Sequence, residues 1–172
     1  MQLYHPEVGI FNIVLGGFGA PKIAWLADPK WVKPALIIMS LWHVGGQMVI
    51  FLAGLQGVPE TLIEAASIDG ASAIRRFWHV TVPLITPVIF FNLVLGIISS
   101  FQIFNAAFIA TNGGPVQSTL FYVLWLYRHA FENFRMGYAA TLGWVLMGIV
   151  LVFTLLNLLM AKRWVYYEGA IR

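Results

Sequence analysis

Cysteine is absent from the 172 residues. That excludes thiol catalysis, disulfides and cysteine metal sites. Charge is scarce as well. Asp, Glu, Lys and Arg make up 10% of the chain, where a soluble domain carries about 25%. So few charges cannot solvate a globular surface. The net charge is +3 with no basic run, so nucleic acid is not an expected partner. His5, His43, His79 and His129 are too scattered for a metal site. No Ser-His-Asp arrangement, paired carboxylate or Gly-rich phosphate loop is visible. Neither an enzyme nor a cofactor is expected. Residues 1–20 lack the basic start of a secretory leader and carry Pro6, Glu7 and several glycines, so they read as a loop.

What is abundant is apolar: 60% of the residues are hydrophobic. A bilayer is crossed by about 20 apolar residues in a helix. Residues 34–56, 84–110 and 138–161 meet that length, which predicts an all-α, polytopic membrane protein with three transmembrane helices. Small residues in each run, such as Gly45, Gly46, Gly96, Ser99, Ser100, Gly143 and Gly148, allow close helix packing. Residues 120–127 are apolar but too short to span, and read as a re-entrant or interfacial helix. Three spans divide the remainder into loops at 1–33, 57–83 and 111–137 and a tail at 162–172. Charge does not orient them: Arg75, Arg76, Lys162, Arg163 and Arg172 on one side balance Lys22, Lys30, Lys33, Arg128 and Arg135 on the other. The tight pairs Arg75-Arg76 and Lys162-Arg163 favour their side as cytoplasmic.

The loop at 57–83 reads as two short helices. Pro59 suits the first helical position, with Glu60 favourable in the first turn. Asp69-Gly70 is the joint, where glycine permits a bend and Asp69 can cap the second helix. Ala65 and Ala66 leave a slim surface. Ile74, Phe77 and Trp78, at i, i+3 and i+4, make one apolar face. Taken alone, this pattern also fits an ordinary amphipathic loop lying on a membrane.

Its spacing is more specific. Glu64-Ala65-Ala66, three residues, Gly70, nine residues, then Val80, Val82 and Pro83 resembles the EAA loop of ABC importer permeases. Asp69, Ala71 and Phe77 match as well, while Val80 and Val82 stand where that family more often has Ile and Leu. Asn112-Gly113-Gly114-Pro115, Phe121-Tyr122-Val123-Leu124, Phe134-Arg135-Met136-Gly137-Tyr138-Ala139 and Arg163-Trp164-Val165-Tyr166-Tyr167-Glu168 resemble carbohydrate importer permeases of the maltose and glycerol-phosphate type, in order and around the right spans. The resemblance implies a multi-pass subunit in the inner membrane of a prokaryote. Its implied partners are a second permease subunit, two cytoplasmic ATPase subunits that grip the EAA loops, and an external binding protein that delivers a sugar. It implies six helices per subunit, so the chain reads as the C-terminal part, beginning in the external loop before the fourth helix. It also implies that the 57–83 loop and the tail are cytoplasmic. Coupling contacts then fall on Glu64, Ala65, Ala66, Asp69, Gly70, Ala71, Phe77 and Pro83.

Sugar contacts are sought on two helix faces. One holds Met39, Trp42, His43 and Gly46; the other holds Ser100, Phe104 and Ala107, with Gln102 and Asn105 nearby. Rings stack on a sugar's apolar face, and intramembrane polar groups mark sites by default, although Trp, Ser and Asn also serve plain helix packing. No Asp, Glu, Lys or Arg sits well inside a span, which favours a neutral sugar and argues against a secondary transporter. The competing expectation is a truncated, non-transporting remnant or a small membrane assembly partner.

Overall fold

A chain in hydrocarbon has to satisfy its backbone within its own helices. The computed structural model, which describes residues 2–166, is helical in that way and forms no strand among the described residues. Met1, and Tyr167, Glu168 and Arg172 of the tail, lie outside the described residues. Three stretches are long and apolar enough to cross a membrane: Val32–Gln56, Thr86–Thr111 and Met136–Trp164. Only 11%, 6% and 6% of their most apolar windows is buried. Their apolar surface therefore needs cover other than water.

Val32–Gln56 consists of α2 (Val32–Ser40), a 3-10 turn over Leu41–His43, and α3 (Val44–Gln56). It starts before Pro34, which sits harmlessly in the first turn, where its missing N–H has no partner to lose. Thr86–Thr111 is α7 (Thr86–Phe101), an irregular step at 102–104, and a π-helical turn Ala106–Thr111. The single helix expected over 84–110 is thus two pieces, and nothing in residues 102–104 dictates the break. Met136–Trp164 is one helix, α9, two residues longer at its start and three at its end than its apolar run.

Polar side chains on these spans turn back onto their own helix. Ser40 Oγ donates to Ile37 O at 2.7 Å, and Asn92 Nδ2 to Val88 O at 3.0 Å. Ser99 donates to Gly96 O and Thr141 to Gly137 O, both at 3.0 Å. Each group supplies locally what lipid cannot.

The described residues fall into two compact units. The first joins Met1–His43 to Ser100–Gly148. Its opening segment is not the plain loop expected at 1–33. It holds a 3-10 turn at Gln2–Tyr4 and α1 (Ile10–Gly17). Tyr4, Trp25 and Ala35 form a core, with Phe11, Leu15, Ile23, Leu26 and Met39 packed on it. Asn12 ties this segment together. Its Nδ2 donates to Pro6 O at 2.9 Å and Ile23 O at 2.8 Å, and its Oδ1 accepts from Ile23 N at 3.2 Å and Trp25 Nε1 at 3.0 Å. Tyr4 donates to Ala35 O at 3.1 Å, fastening the segment to α2. Asp28 Oδ1 accepts from Lys30 N at 2.8 Å, the turn that precedes the first span. Lys22 bonds to Glu7 and holds that carboxyl below its usual range.

The same unit carries α8 (Tyr122–Tyr127), which continues as a π-helical turn over Arg128–Glu132. Asn112 adopts a left-handed conformation, and Arg128 Nη2 donates to its carbonyl at 2.6 Å. Thr119 donates to Gly114 O at 2.7 Å, so the Asn-Gly-Gly-Pro loop is pinned from both sides. Tyr122 donates to Leu142 O at 2.9 Å and holds α8 against α9.

The second unit joins Val44–Ser99 to Ile149–Arg172. It contains α3, α4 (Glu60–Ile68), α5 (Ala73–Arg76), α6 (Val82–Leu84) and most of α7. α3 and α7 approach closely at Gly54, where an added Cβ would stand 2.8 Å from Val88 Cγ2. Phe90 and Trp164 meet edge to face at 6.3 Å.

Two outcomes are expected. Asn12→Leu strands the partners of four hydrogen bonds and costs about 2 kcal/mol or more of local stability; hydrogen exchange of residues 6–26 in nanodiscs checks it. Gly54→Ala overpacks the α3–α7 contact by about 1–3 kcal/mol, lowering the thermal midpoint in detergent, and Gly54→Ala with Val88→Ala recovers most of it.

Candidate functional site

Between α3 and α7 the chain leaves the apolar run for residues 57–85. Pro59 ends the exit. It is the N-cap of α4 rather than its first helical residue, at φ −62° and ψ 125°. That extended conformation lets Glu60 open the helix with its charge at the positive end of the dipole.

α4 closes on its own backbone. Gly70 N donates to Ser67 O at 3.0 Å, and Ala71 N donates to Ala66 O at 3.0 Å. This pair of bonds is a Schellman motif, which requires a left-handed residue just past the helix. Gly70 occupies it at φ +77°. The motif also places Ala66 and Ala71 at its two apolar contact positions, so three of the loop residues singled out by spacing serve one turn. Nothing lies within 4 Å of a Cβ built on Gly70. The demand for glycine is therefore conformational and not one of space.

Asp69 ends α4 as its C-cap residue and does not cap the next helix. Ser72 caps α5 instead, its Oγ accepting from Arg75 N at 3.4 Å. Asp69 stands before the left-handed glycine, where its side chain cannot reach the first turn beyond it. α5 is short, because a π-helical turn over Phe77–Thr81 takes over after Arg76. α6 follows with Pro83 inside it and Pro87 just beyond, each lacking an N–H to donate.

Glu64, Ala65, Asp69, Gly70 and Phe77 are exposed, and Ala66, Ala71 and Pro83 are partly so. Ile68 is 86% exposed, Ile74 73%, Trp78 61% and Phe77 47%. So much bare apolar surface on a polar loop needs cover from a protein or a membrane surface. Phe77 and Trp78 brace each other edge to face at 5.4 Å. His79 Nδ1 lies 3.1 Å from Arg75 O.

The residues expected to line a sugar pathway are placed less uniformly. In the first unit, Trp42 and His43 are exposed, Trp42 at 90%, while Met39 packs on the Tyr4–Trp25 core. The 3-10 turn at Leu41–His43 breaks the regular stripe expected to run through Met39, Trp42, His43 and on to Gly46, which is exposed in the second unit. The other stripe is broken too. Ser100 precedes the step at 102–104, Phe104 lies within it and Ala107 follows it, so α-helical spacing does not carry through. Phe104 stacks on Phe108 at 5.2 Å and leans on Tyr127 at 5.1 Å. Gln102 and Asn105 are exposed. Ala107 is fully buried; its carbonyl accepts from Thr111 Oγ1 and Gly113 N. Its role in the chain is to hold the Asn-Gly-Gly-Pro loop.

Spacing alone did not point to Ser72 or Thr86. Ser72 carries a legible signal, a capping residue before an apolar turn. Thr86 carries none, because its partner is 80 residues away.

Three membrane-length helices, joined by an exposed loop with a bare apolar face, define a multi-pass membrane component. The chain belongs to the family described as binding-protein-dependent transport system inner membrane component, which matches residues 3–166. It is 44% identical to the probable ABC transporter permease protein YesP of Bacillus subtilis (strain 168) over 164 residues, covering 94% of this chain and 53% of that relative. It is 34% identical to the sulfoquinovosyl glycerol transport system permease protein SmoG of Agrobacterium fabrum (strain C58 / ATCC 33970), covering 88% of this chain and 49% of SmoG. The chain thus spans about half the length of the curated relatives it matches. The fold is similar to a chain of the bacterial alginate ABC transporter solved with an alginate pentasaccharide-bound periplasmic protein: TM-score 0.84 at 23% identity, covering 94% of this chain and 57% of that one.

Gly70→Ala places a Cβ in a left-handed turn and costs about 1–2 kcal/mol, while Gly70→Asn costs less. The expected sign is faster amide exchange at Gly70 and Ala71 positions in the alanine variant, with asparagine intermediate.

Proposed function

We propose that this chain is the coupling half of a permease subunit in an ATP-driven sugar importer of a prokaryotic inner membrane. The observation that carries the reading is α4: an exposed helix bearing Glu64, Ala65 and Ala66, closed at Gly70, and rooted in two membrane-length helices. A cytoplasmic ATPase subunit docks on it and on the apolar face of Ile74, Phe77 and Trp78. Glu64 offers the ATPase a charged contact, and the left-handed Gly70 sets the angle between α4 and α5. ATP-driven closure of the ATPase pair moves the loop, and the loop moves the helices that flank it.

A second permease subunit and an external sugar-binding protein complete the machine. Trp42, His43, Gly46 and Ser100, with Gln102, Phe104 and Asn105, are the pathway residues of this chain. Met39 and Ala107 support them from the packed side. The interior of the spans has no Asp, Glu, Lys or Arg, which supports a neutral sugar. ATP hydrolysis belongs to the separate subunit, so this chain is not an enzyme.

The test is retention of ATPase. Affinity-purified permease from source-cell membranes is expected to carry ATP-hydrolysing activity in the eluate. Glu64→Lys reverses a contact charge and weakens that capture about tenfold or more. An eluate without ATPase from the unaltered chain gives the assembly-partner reading instead.

A further inference from the structure

The last described residues return to the loop. Tyr166 N donates to Thr86 Oγ1 at 2.9 Å, and the same hydroxyl donates to Pro83 O at 2.6 Å. Thr86 is 7% exposed, so neither bond is a loose surface contact. Pro83 is the last residue of the coupling loop pattern. One buried hydroxyl therefore joins the loop's exit to the tail.

The tail also reaches the loop's entry. Tyr166 lines a cavity of about 270 Å³ with Gly54, Gly57, Val58, Pro59, Leu84 and Pro87. Gly57, Val58 and Pro59 lead into α4, while Leu84 and Pro87 follow α6. The tail is thus bonded at one root of the loop and faces the other across this cavity. Phe90 against Trp164, at 6.3 Å, fastens the end of α9 one turn deeper.

Both roots contain residues that limit local anchoring. Gly57 adds no side chain, and Pro59, Pro83 and Pro87 donate no backbone hydrogen bond. A push on α4 could be absorbed by local bending there. We propose that Thr86 is a positioning residue for coupling, and that Val165–Tyr166 is a strap that makes both loop roots move with α9. The coupling role rests on the function proposed above; the strap itself does not.

This chain has no cysteine of its own, and with any cysteine elsewhere in the permease replaced it accepts a defined spin-label pair. The full permease, purified with the ATPase it retains and placed in lipid nanodiscs, carries labels at Ser67→Cys on α4 and Leu158→Cys on α9, both exposed positions. Unaltered Thr86 and Thr86→Ser, which keeps the hydroxyl, are expected to give a narrow distance distribution. MgATP with vanadate shifts it as one population. Thr86→Val has the same shape without the hydroxyl; it is expected to lose the narrow distribution and the single shift, and to keep its ATPase. A Thr86→Val distribution as narrow as the parent overturns the strap. If Thr86→Val does not insert, Tyr166→Pro removes the donor and leaves Thr86 intact, with the same two outcomes. Failure of the parent to retain an ATPase overturns the coupling role together with the function proposed above, while the nucleotide-free widths still decide the strap.

Discussion

Hydrocarbon offers no partner to a backbone N–H or C=O, and that constraint governs where this chain is regular and where it is not. The spans carry local hydrogen bonds even for their side chains: Ser40, Asn92, Ser99 and Thr141 all bond to carbonyls three or four residues back. Left-handed residues, cap changes and prolines gather outside the spans, at Gly70, at Asn112 and at Pro59 and Pro83. The 3-10 turn at Leu41–His43 and the step at 102–104 are the exceptions, and both lie among residues that the functional reading places beside a pathway. Non-helical backbone at membrane depth is tolerated where protein or water covers it.

The loop at 57–85 solves a different problem. It has to leave the apolar run, turn, and come back without a core of its own. Its firmness comes from backbone closures and short contacts rather than from a core. The Schellman turn closes α4, Ser72 opens α5, and Phe77 braces Trp78. Little of its surface is buried, and much of what is bare is apolar.

The large features were legible because they depend on composition and length. Few charges and three apolar runs give three spans under any packing. Gly70 was legible because only one residue type turns left-handed without strain. Asp69 was misread as a cap because Asp and Ser compete for that role, and the left-handed turn between Asp69 and α5 decides for Ser72. The opening segment was misread as a loop because its order comes from Asn12 and a cluster of rings, which has no period. The sugar faces assumed unbroken α-helix, and a 3-10 turn at Leu41–His43 and the step after Phe101 each spoil that count. The bond from Tyr166 to Thr86 joins positions 80 apart, and no local pattern announces such a pair.

The closure of α4 has an evolutionary consequence. The bend after Ile68 depends on the φ of Gly70 and two main-chain bonds, with small residues at Ala66 and Ala71. It asks nothing of Leu62, Glu64, Ser67 or Ile68. Those side chains can change, one substitution at a time, while the hinge beneath them keeps its angle. A lineage can rewrite this exposed face without first unlearning how to bend.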